Sequence, residues 1–311
     1  MPTHNIPFGQ PMLDQDEIDA VTKVLKGPIL AHGSVCLEFE EAFAKHIGVD
    51  HAISVSSGTS GLHLSLFSRQ IGLGDEVIVP AMTHVATAHA VEYCSAKPIF
   101  VDVDPKSGNI ASDVIPSQIT ENTKSIMAVH FLGLPCDMDK INADAEKHQL
   151  FVIEDAALAV DALYGETKAG ALGNVGCFSF YPIKHMTTIE GGMVTTNDPE
   201  LAESVRKRKA FGYDHSHQTR KKPGIYDVPI LGYNYRMNEV EAAVGLCQLA
   251  KLEHKLKIRE INYNALKNTL SEIDEITVFD PVQGKARSSC YCLNAVLPQD
   301  GSLNRDDIVA E

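Results

Sequence analysis

A lysine that water reaches poorly is a chemical tool, and the segment CFSFYPIKHMTTIEGG (177–192) contains one. Lys184 follows a run that is apolar at both alternating positions, so its amine is expected to be desolvated. Desolvation disfavours the ammonium form and leaves a nucleophile fit for a Schiff base. Most lysines are solvated surface charges, so Lys184 gains weight only from its company. In VIEDAAL (152–158), Glu154 and Asp155 end another strand-like run. A carboxylate buried there needs a cation, and its place at a strand end favours a functional role over a plain salt bridge or helix cap. In SVSSGTSGLHLSL (54–66), small residues link a strand to a helix. Such a turn lets backbone N–H groups approach an anion, and the helix start adds positive potential. The segment matches neither GxGxxG nor GxxxxGK[ST], and a plain helix cap accounts for it equally well.

These residues need a scaffold, and the pattern around them supplies one. AISV (52–55), EVIVP (76–80), KPIFVDV (97–103), SIMAVHF (125–131) and LFVIED (150–155) read as strands, separated by amphipathic stretches at 60–71, 83–94 and 137–148. That alternation predicts βαβ units and an α/β fold with a mostly parallel central sheet covered by helices. Continuous apolar strands fit a sheet buried on both faces. The rhythm changes at 176–196, which reads as two strands around a polar turn. A helix begins near Asn238, where Val240, Ala243, Val244 and Cys247 share one face, and continues past Leu270 with a break. Strand ends in such a sheet are where ligands bind, which would gather the turn, the carboxylates and the amine. Together they suit pyridoxal phosphate (PLP), which offers a phosphate, a pyridine nitrogen and an aldehyde.

Composition bounds the rest. The chain has 311 residues, with 27 Lys plus Arg against 41 Asp plus Glu and a formal net charge of −14. That sign argues against nucleic acid as a partner. No apolar run reaches the ~20 residues that span a bilayer, so no membrane partner is expected. MPTHNIPFGQPML lacks the regions of a signal peptide, and the chain reads as cytoplasmic. Its 7 cysteines are expected to be reduced and mostly buried. Cys290 and Cys292 have the alternation of a strand rather than zinc-knuckle spacing. His215 with His217, and His84 with His89, lack ligand partners at metal-binding spacing, so no metal is expected. The basic runs RKRK (206–209) and RKK (220–222) could steer an anionic substrate, or be a solvated helix end and loop.

The order of motifs resembles the DegT/DnrJ/EryC1/StrS family of sugar aminotransferases, which are fold-type-I PLP enzymes. The resemblance runs from about Ile6 to the chain end. It rests on FEEAFAKHIGVDHAISVSSGTSGLHLSL, GDEVIVPAMTHVATAHAV, VHFLGLPCDMD, VIEDAA, GCFSFYPIKHMTTIEGG and LGYNYRMNEVEAA. It implies that Lys184 holds PLP as a Schiff base and moves the proton, with pyridoxamine phosphate formed in turnover. Asp155 would pair with the pyridinium nitrogen. Ser57, Gly58 and Thr59, with the Ser179 hydroxyl, would hold the phosphate. Asn234 would reach the phosphate of a neighbouring subunit in a homodimer with shared active sites, or else simply form a turn in its own. The implied partners are an amino-acid donor, most often L-glutamate, and a keto-sugar acceptor, usually a nucleotide-linked 4-keto-6-deoxyhexose or related sugar.

Two positions depart from the family pattern. His84 stands where an aromatic residue commonly stacks on the pyridine ring, and its imidazole is expected to bind the cofactor by stacking there with less area. Leu158 stands where a polar residue often meets the phenolic oxygen. Relatives that replace the lysine with histidine catalyse dehydration, and Lys184 argues against that branch. The expected division is a PLP-binding domain over 1–250 and a smaller α+β domain over 251–311 that looks incomplete. A truncated, non-catalytic member is therefore the rival expectation. NRDDIVAE at the end opens like a helix capped by Asn304.

Overall fold

The computed structural model describes residues 7, 9–31, 33–214, 225–298, 301 and 303–310. Two helices lead in, α1 (Gln15–Leu25) and α2 (Ser34–Ile47), the second ended by Gly48 in the left-handed region. Strand–helix units follow: β1 (His51–Val55), α3 (Gly58–Ser68), β2 (Glu76–Pro80), α4 (Val85–Tyr93) and β3 (Lys97–Val101). The short α5 (Ile115–Gln118) precedes β4 (Thr123–Val129), α6 (Met138–His148) and β5 (Phe151–Asp155). A hairpin, β6 (Leu163–Tyr164) and β7 (Thr167–Lys168), comes before β8 (Val175–Ser179) and β9 (Gly192–Thr196). The helices α7 (Pro199–Arg208), α8 (Glu239–Ala250) and α9 (Leu252–Leu270) complete the frame.

The central sheet has seven strands in the order β1-β9-β8-β5-β4-β2-β3. β2 pairs in parallel with β3 and β4, β4 with β5, and β5 with β8; β9 runs antiparallel to β8 and β1. The expected α/β architecture is thus present, with β8 and β9 as the anticipated strand pair around a polar loop.

Side chains alternate between two cores, as the pleat requires. Val77, Val79, Met127, Ile153, Val175 and Cys177 pack on one side, with α3, α4 and α7. Ile78, Ile126, Ala128 and Val152 point to the other, towards α6, and Phe178 and Met193 join the cluster holding α2 and α8. Burial on both faces explains why these strands lack polar alternation. Among the described residues, no helix is long and apolar enough to cross a membrane.

The helix expected from Asn238 past Leu270 is α8 and α9, with the expected break at Lys251 and an end at Leu270 rather than beyond it. Beyond it lie β10 (Thr277–Val278), β11 (Val282–Gln283), β12 (Ala286–Arg287), β13 (Ala295–Val296) and α10 (Arg305–Ala310). β12 pairs with β6, so this segment is hydrogen-bonded back onto the loop after β5. Asn304 Oδ1 accepts the Asp306 N–H at 2.9 Å, as a cap should. The strand expected at Cys290 and Cys292 is absent: Cys290 has a φ of 54° and the stretch 288–294 forms no ladder. All seven cysteines are free and most are buried.

Candidate active site

The C-terminal ends of β1, β5 and β8 open onto one edge of the sheet, and the pleat decides what they present there. Ile153 and Cys177 face the α3/α4 side, so Asp155 and Ser179, two residues on, face it too. Asp155 and Cys177 are register partners across β5 and β8. Glu154 follows Val152 to the opposite side.

Glu154 is fully buried and fully committed. Its Oε1 accepts N–H groups from Leu172 and Gly173, each at 2.7 Å, and its Oε2 accepts from Gly170 at 2.7 Å. His130 Nε2 adds a fourth contact at 2.9 Å. The Cys136 N–H points at His130 Nδ1 at 3.2 Å, which makes Nδ1 the acceptor and Nε2–H the donor to Glu154. The acceptor sites of Glu154 are thus filled within the frame, which leaves Asp155 as the strand-end carboxylate with capacity to spare.

Asp155 is different. It is 6% exposed, and burial raises its pKa above the ordinary carboxylate value. Opposing this, Oδ2 accepts the Thr87 hydroxyl at 2.9 Å and Oδ1 the Ala157 N–H at 3.2 Å, while the Lys184 charge also favours the ionised form. Each oxygen keeps lone-pair capacity for a further donor.

Lys184 sits in the loop between β8 and β9. The loop is closed at its base by Phe180 N–H to Gly191 O (2.9 Å) and Thr188 N–H to Phe180 O (3.0 Å), with buried Phe180 as its anchor. The Lys184 N–H bonds Tyr181 O at 2.9 Å, which fixes the turn that carries the side chain. Burial lowers the lysine's pKa, against a counter-pull from Asp155. Its ammonium lies 5.4 Å from the centre of the Tyr291 ring. Arg259 holds the Tyr291 carbonyl at 3.0 Å, and His185 Nε2–H donates to Ser289 O at 3.1 Å. Burial and the Arg259 charge push the His185 pKa down to about 3, so that ring stays neutral. Tyr291 and Arg259 lie in none of the quoted motifs, and Thr87 lies in one, GDEVIVPAMTHVATAHAV, without a partner that the sequence shows.

The small-residue turn is a helix cap with backbone donors left over. Ser57 caps α3 and forms a capping box with Ser60, so its hydroxyl is occupied. The N–H groups of Gly58 and Thr59 have no acceptor among the described residues, as expected of a first helical turn. A Cβ on Gly58 would lie 2.9 Å from Ser179 Cβ, so glycine brings the helix start against Ser179. One on Gly192 would lie 2.6 Å from the Ser57 carbonyl. The Ser179 hydroxyl likewise has no partner among the described residues.

The remaining candidates lie around this cluster. His84 is exposed and caps α4, its Nδ1 accepting the Ala86 N–H at 3.1 Å. Leu158 is half-buried, and its carbonyl accepts the Ser289 hydroxyl at 3.1 Å. Asn234 is exposed and bridges Ala210 through the backbone, while neighbouring Tyr235 O accepts the Ser56 N–H at 2.8 Å. The run 206–209 is largely absorbed locally. Lys209 bonds Glu40 and Ser54 O at 2.8 Å, Arg208 stacks 4.5 Å over Phe67, and Lys207 pairs with Glu203 at 3.3 Å. His215, His217 and the run 220–222 lie outside the described residues.

Comparison with known proteins gives the same picture. Residues 11–311 match the DegT/DnrJ/EryC1/StrS aminotransferase family. The chain is 40% identical over 307 residues to the GDP-perosamine synthase of Caulobacter vibrioides, covering 98% of this chain and 81% of that protein. The aminotransferase from Psychrobacter cryohalolentis superposes with a TM-score of 0.91 at 34% identity, over 98% of this chain and 82% of that one. Spr1654 from Streptococcus pneumoniae in its PLP-form gives 0.88 at 25% identity, over 95% and 79%.

Proposed function

The chain belongs to the DegT/DnrJ/EryC1/StrS aminotransferase family, and from that premise we propose that it moves an amino group from an amino acid to a keto sugar with PLP as cofactor. The observation that carries this is the meeting, on one face and one edge of the sheet, of two unpaired backbone donors, a free hydroxyl, a buried carboxylate with spare capacity and a desolvated lysine. The Gly58–Ser179 approach leaves a cradle bounded by N–H and O–H donors, which suits a phosphate. PLP supplies an electron sink for the carbanion formed at the substrate carbon.

The protein's residues divide the labour. Gly58, Thr59 and Ser179 hold the phosphate through hydrogen bonds that would otherwise be unmade. Asp155 keeps the ring nitrogen protonated, because its buried negative charge stabilises the N–H cation beside it. Lys184 would hold the cofactor through its aldehyde carbon, and its Nζ would take and return the proton at the substrate carbon. Its lowered proton affinity suits both roles near neutral pH. The neutral amine is the nucleophile, and a lysine at its ordinary pKa would be almost wholly protonated. Asn234, exposed and next to Tyr235, whose carbonyl accepts the Ser56 N–H, would reach across a homodimer to the partner's phosphate site.

L-glutamate as donor and a nucleotide-linked keto sugar as acceptor, such as a 4-keto-6-deoxyhexose, complete the reading. Similarity to a GDP-perosamine synthase supports the sugar class. The test is to mix the PLP-loaded protein with L-glutamate. Its visible absorbance should bleach with release of 2-oxoglutarate, and a nucleotide-linked 4-keto sugar should restore it while gaining an amine. Bleaching without recovery on any keto sugar would exclude the acceptor class. No visible band with added PLP would exclude the enzyme reading.

A further inference from the structure

Thr87 joins the site through Asp155, and a count of protons shows how. The Thr87 hydroxyl has one hydrogen and lies 2.9 Å from Asp155 Oδ2 and 2.8 Å from the Thr83 hydroxyl. An ionised carboxylate only accepts, so Thr87 donates to Asp155 and accepts from Thr83. With Asp155 ionised the chain runs one way, Thr83 O–H to Thr87 and Thr87 O–H to Asp155. Thr87 is fully buried, so bulk solvent does not reach its hydroxyl. It stands in the first turns of α4, while Asp155 ends β5, so the bond also locks helix to strand at the edge where the site is built.

We propose that Thr87 is a positioning residue for the cofactor, oriented by Thr83, which holds the Asp155 carboxylate ionised and turned so that its remaining lone pairs meet the ring nitrogen. The inference rests on the PLP reading above. Burial favours the protonated acid at Asp155, and a protonated acid offers the pyridinium no charge. A hydrogen bond donated into the carboxylate opposes that tendency. Without it the carboxyl takes up a proton more readily, and the cofactor must displace that proton to bind in its ring-protonated form.

The experiment is a spectral titration of the apo-protein with PLP for wild type, Thr87→Val, Thr87→Ser and Thr83→Val, with thermal melts of each apo-protein alongside. Thr87→Val keeps the shape and removes the donor. It should weaken PLP binding about tenfold, the loss of one hydrogen bond to a charged group. Thr87→Ser should stay within about threefold of wild type, because the hydroxyl remains. Thr83→Val, which loosens only the orientation, should fall between them. Wild-type affinity in Thr87→Val would overturn the proposal, and so would a Thr87→Ser variant as weak as Thr87→Val, which would mean packing alone. If Thr87→Val does not fold, the Thr87→Ser and Thr83→Val pair decides in the same way: Thr83→Val no weaker than Thr87→Ser overturns it. Absence of PLP binding in wild type would instead overturn the cofactor reading itself.

Discussion

Glu154 and Asp155 are neighbours on one strand, both buried, both carboxylates, and they lead different lives. The pleat sends Glu154 towards α6 and the loop at 170–173, where three N–H groups and His130 fill its acceptor sites. It sends Asp155 towards α3 and α4, where two donors leave it under-used and burial leaves it costly. The lesson is that burial alone does not mark a functional acid. A buried charge whose hydrogen-bonding capacity is filled is part of the frame, and one held with capacity to spare is waiting for a ligand. Lys184 belongs with Asp155 in that second class.

The contrast can be broken most severely at the lysine. Lys184→Ala should lose transamination by on the order of 10⁴-fold, through loss of both the nucleophile and the proton carrier, with the fold intact by circular dichroism. Asp155→Asn comes next: turnover should fall about 10²–10³-fold while the melting temperature of the apo-protein holds or rises, since a costly charge has been removed. Glu154→Gln should do the reverse. It places an amide N–H₂ against at least one backbone donor and should cost about 3 kcal/mol of stability by denaturant titration, with little direct effect on chemistry in the fraction that folds. If Asp155→Asn destabilised the apo-protein as much as Glu154→Gln, the distinction between the two acids would fail.

Titration sharpens the same comparison. Asp155 has a raised pKa when folded, so the folded state holds its proton more tightly than the unfolded chain. Apo-protein stability should therefore fall as pH rises from about 3.8 through the raised value. Lys184 has a lowered pKa when folded, so stability should climb as pH rises from that value towards 10.5. Melts against pH for wild type, Asp155→Asn and Lys184→Met should show each slope vanish with its residue. Asn234→Ala is the smallest expected effect, about tenfold in PLP affinity for one lost hydrogen bond to phosphate. Mixing it with Lys184→Ala subunits should recover activity if sites are shared between subunits, and none if they are not.

Much of this was legible in the residues. Apolar runs without polar alternation announced strands buried on both faces, and they appear as β1, β2, β4 and β5 within a few residues. The pleat puts Asp155 and Ser179 on the face of Ile153 and Cys177, but with Val152 and Phe178 equally apolar on the other face that phase shows only in the structure. Local sequence could not separate Glu154 from Asp155, since what distinguishes them is a loop at 170–173 folded back from sixteen or more positions away. Thr87 was hidden for a similar reason: a threonine in a helix has no signature until its acceptor is known. Tyr291 and Arg259 reach Lys184 only through tertiary closure. The alternation at Cys290 and Cys292 misled, because a positive φ at Cys290 turns the chain where a strand would continue.

The central claim is that Lys184, and no other lysine, carries the cofactor. Incubating the apo-protein with PLP, reducing with borohydride, digesting and mapping the modified peptide by mass spectrometry tests it directly. The account predicts a single pyridoxyl-phosphate modification, on the peptide containing Lys184, and its loss in Lys184→Ala. Stoichiometric modification of a different lysine, or an unmodified Lys184 peptide at saturating PLP, would contradict it.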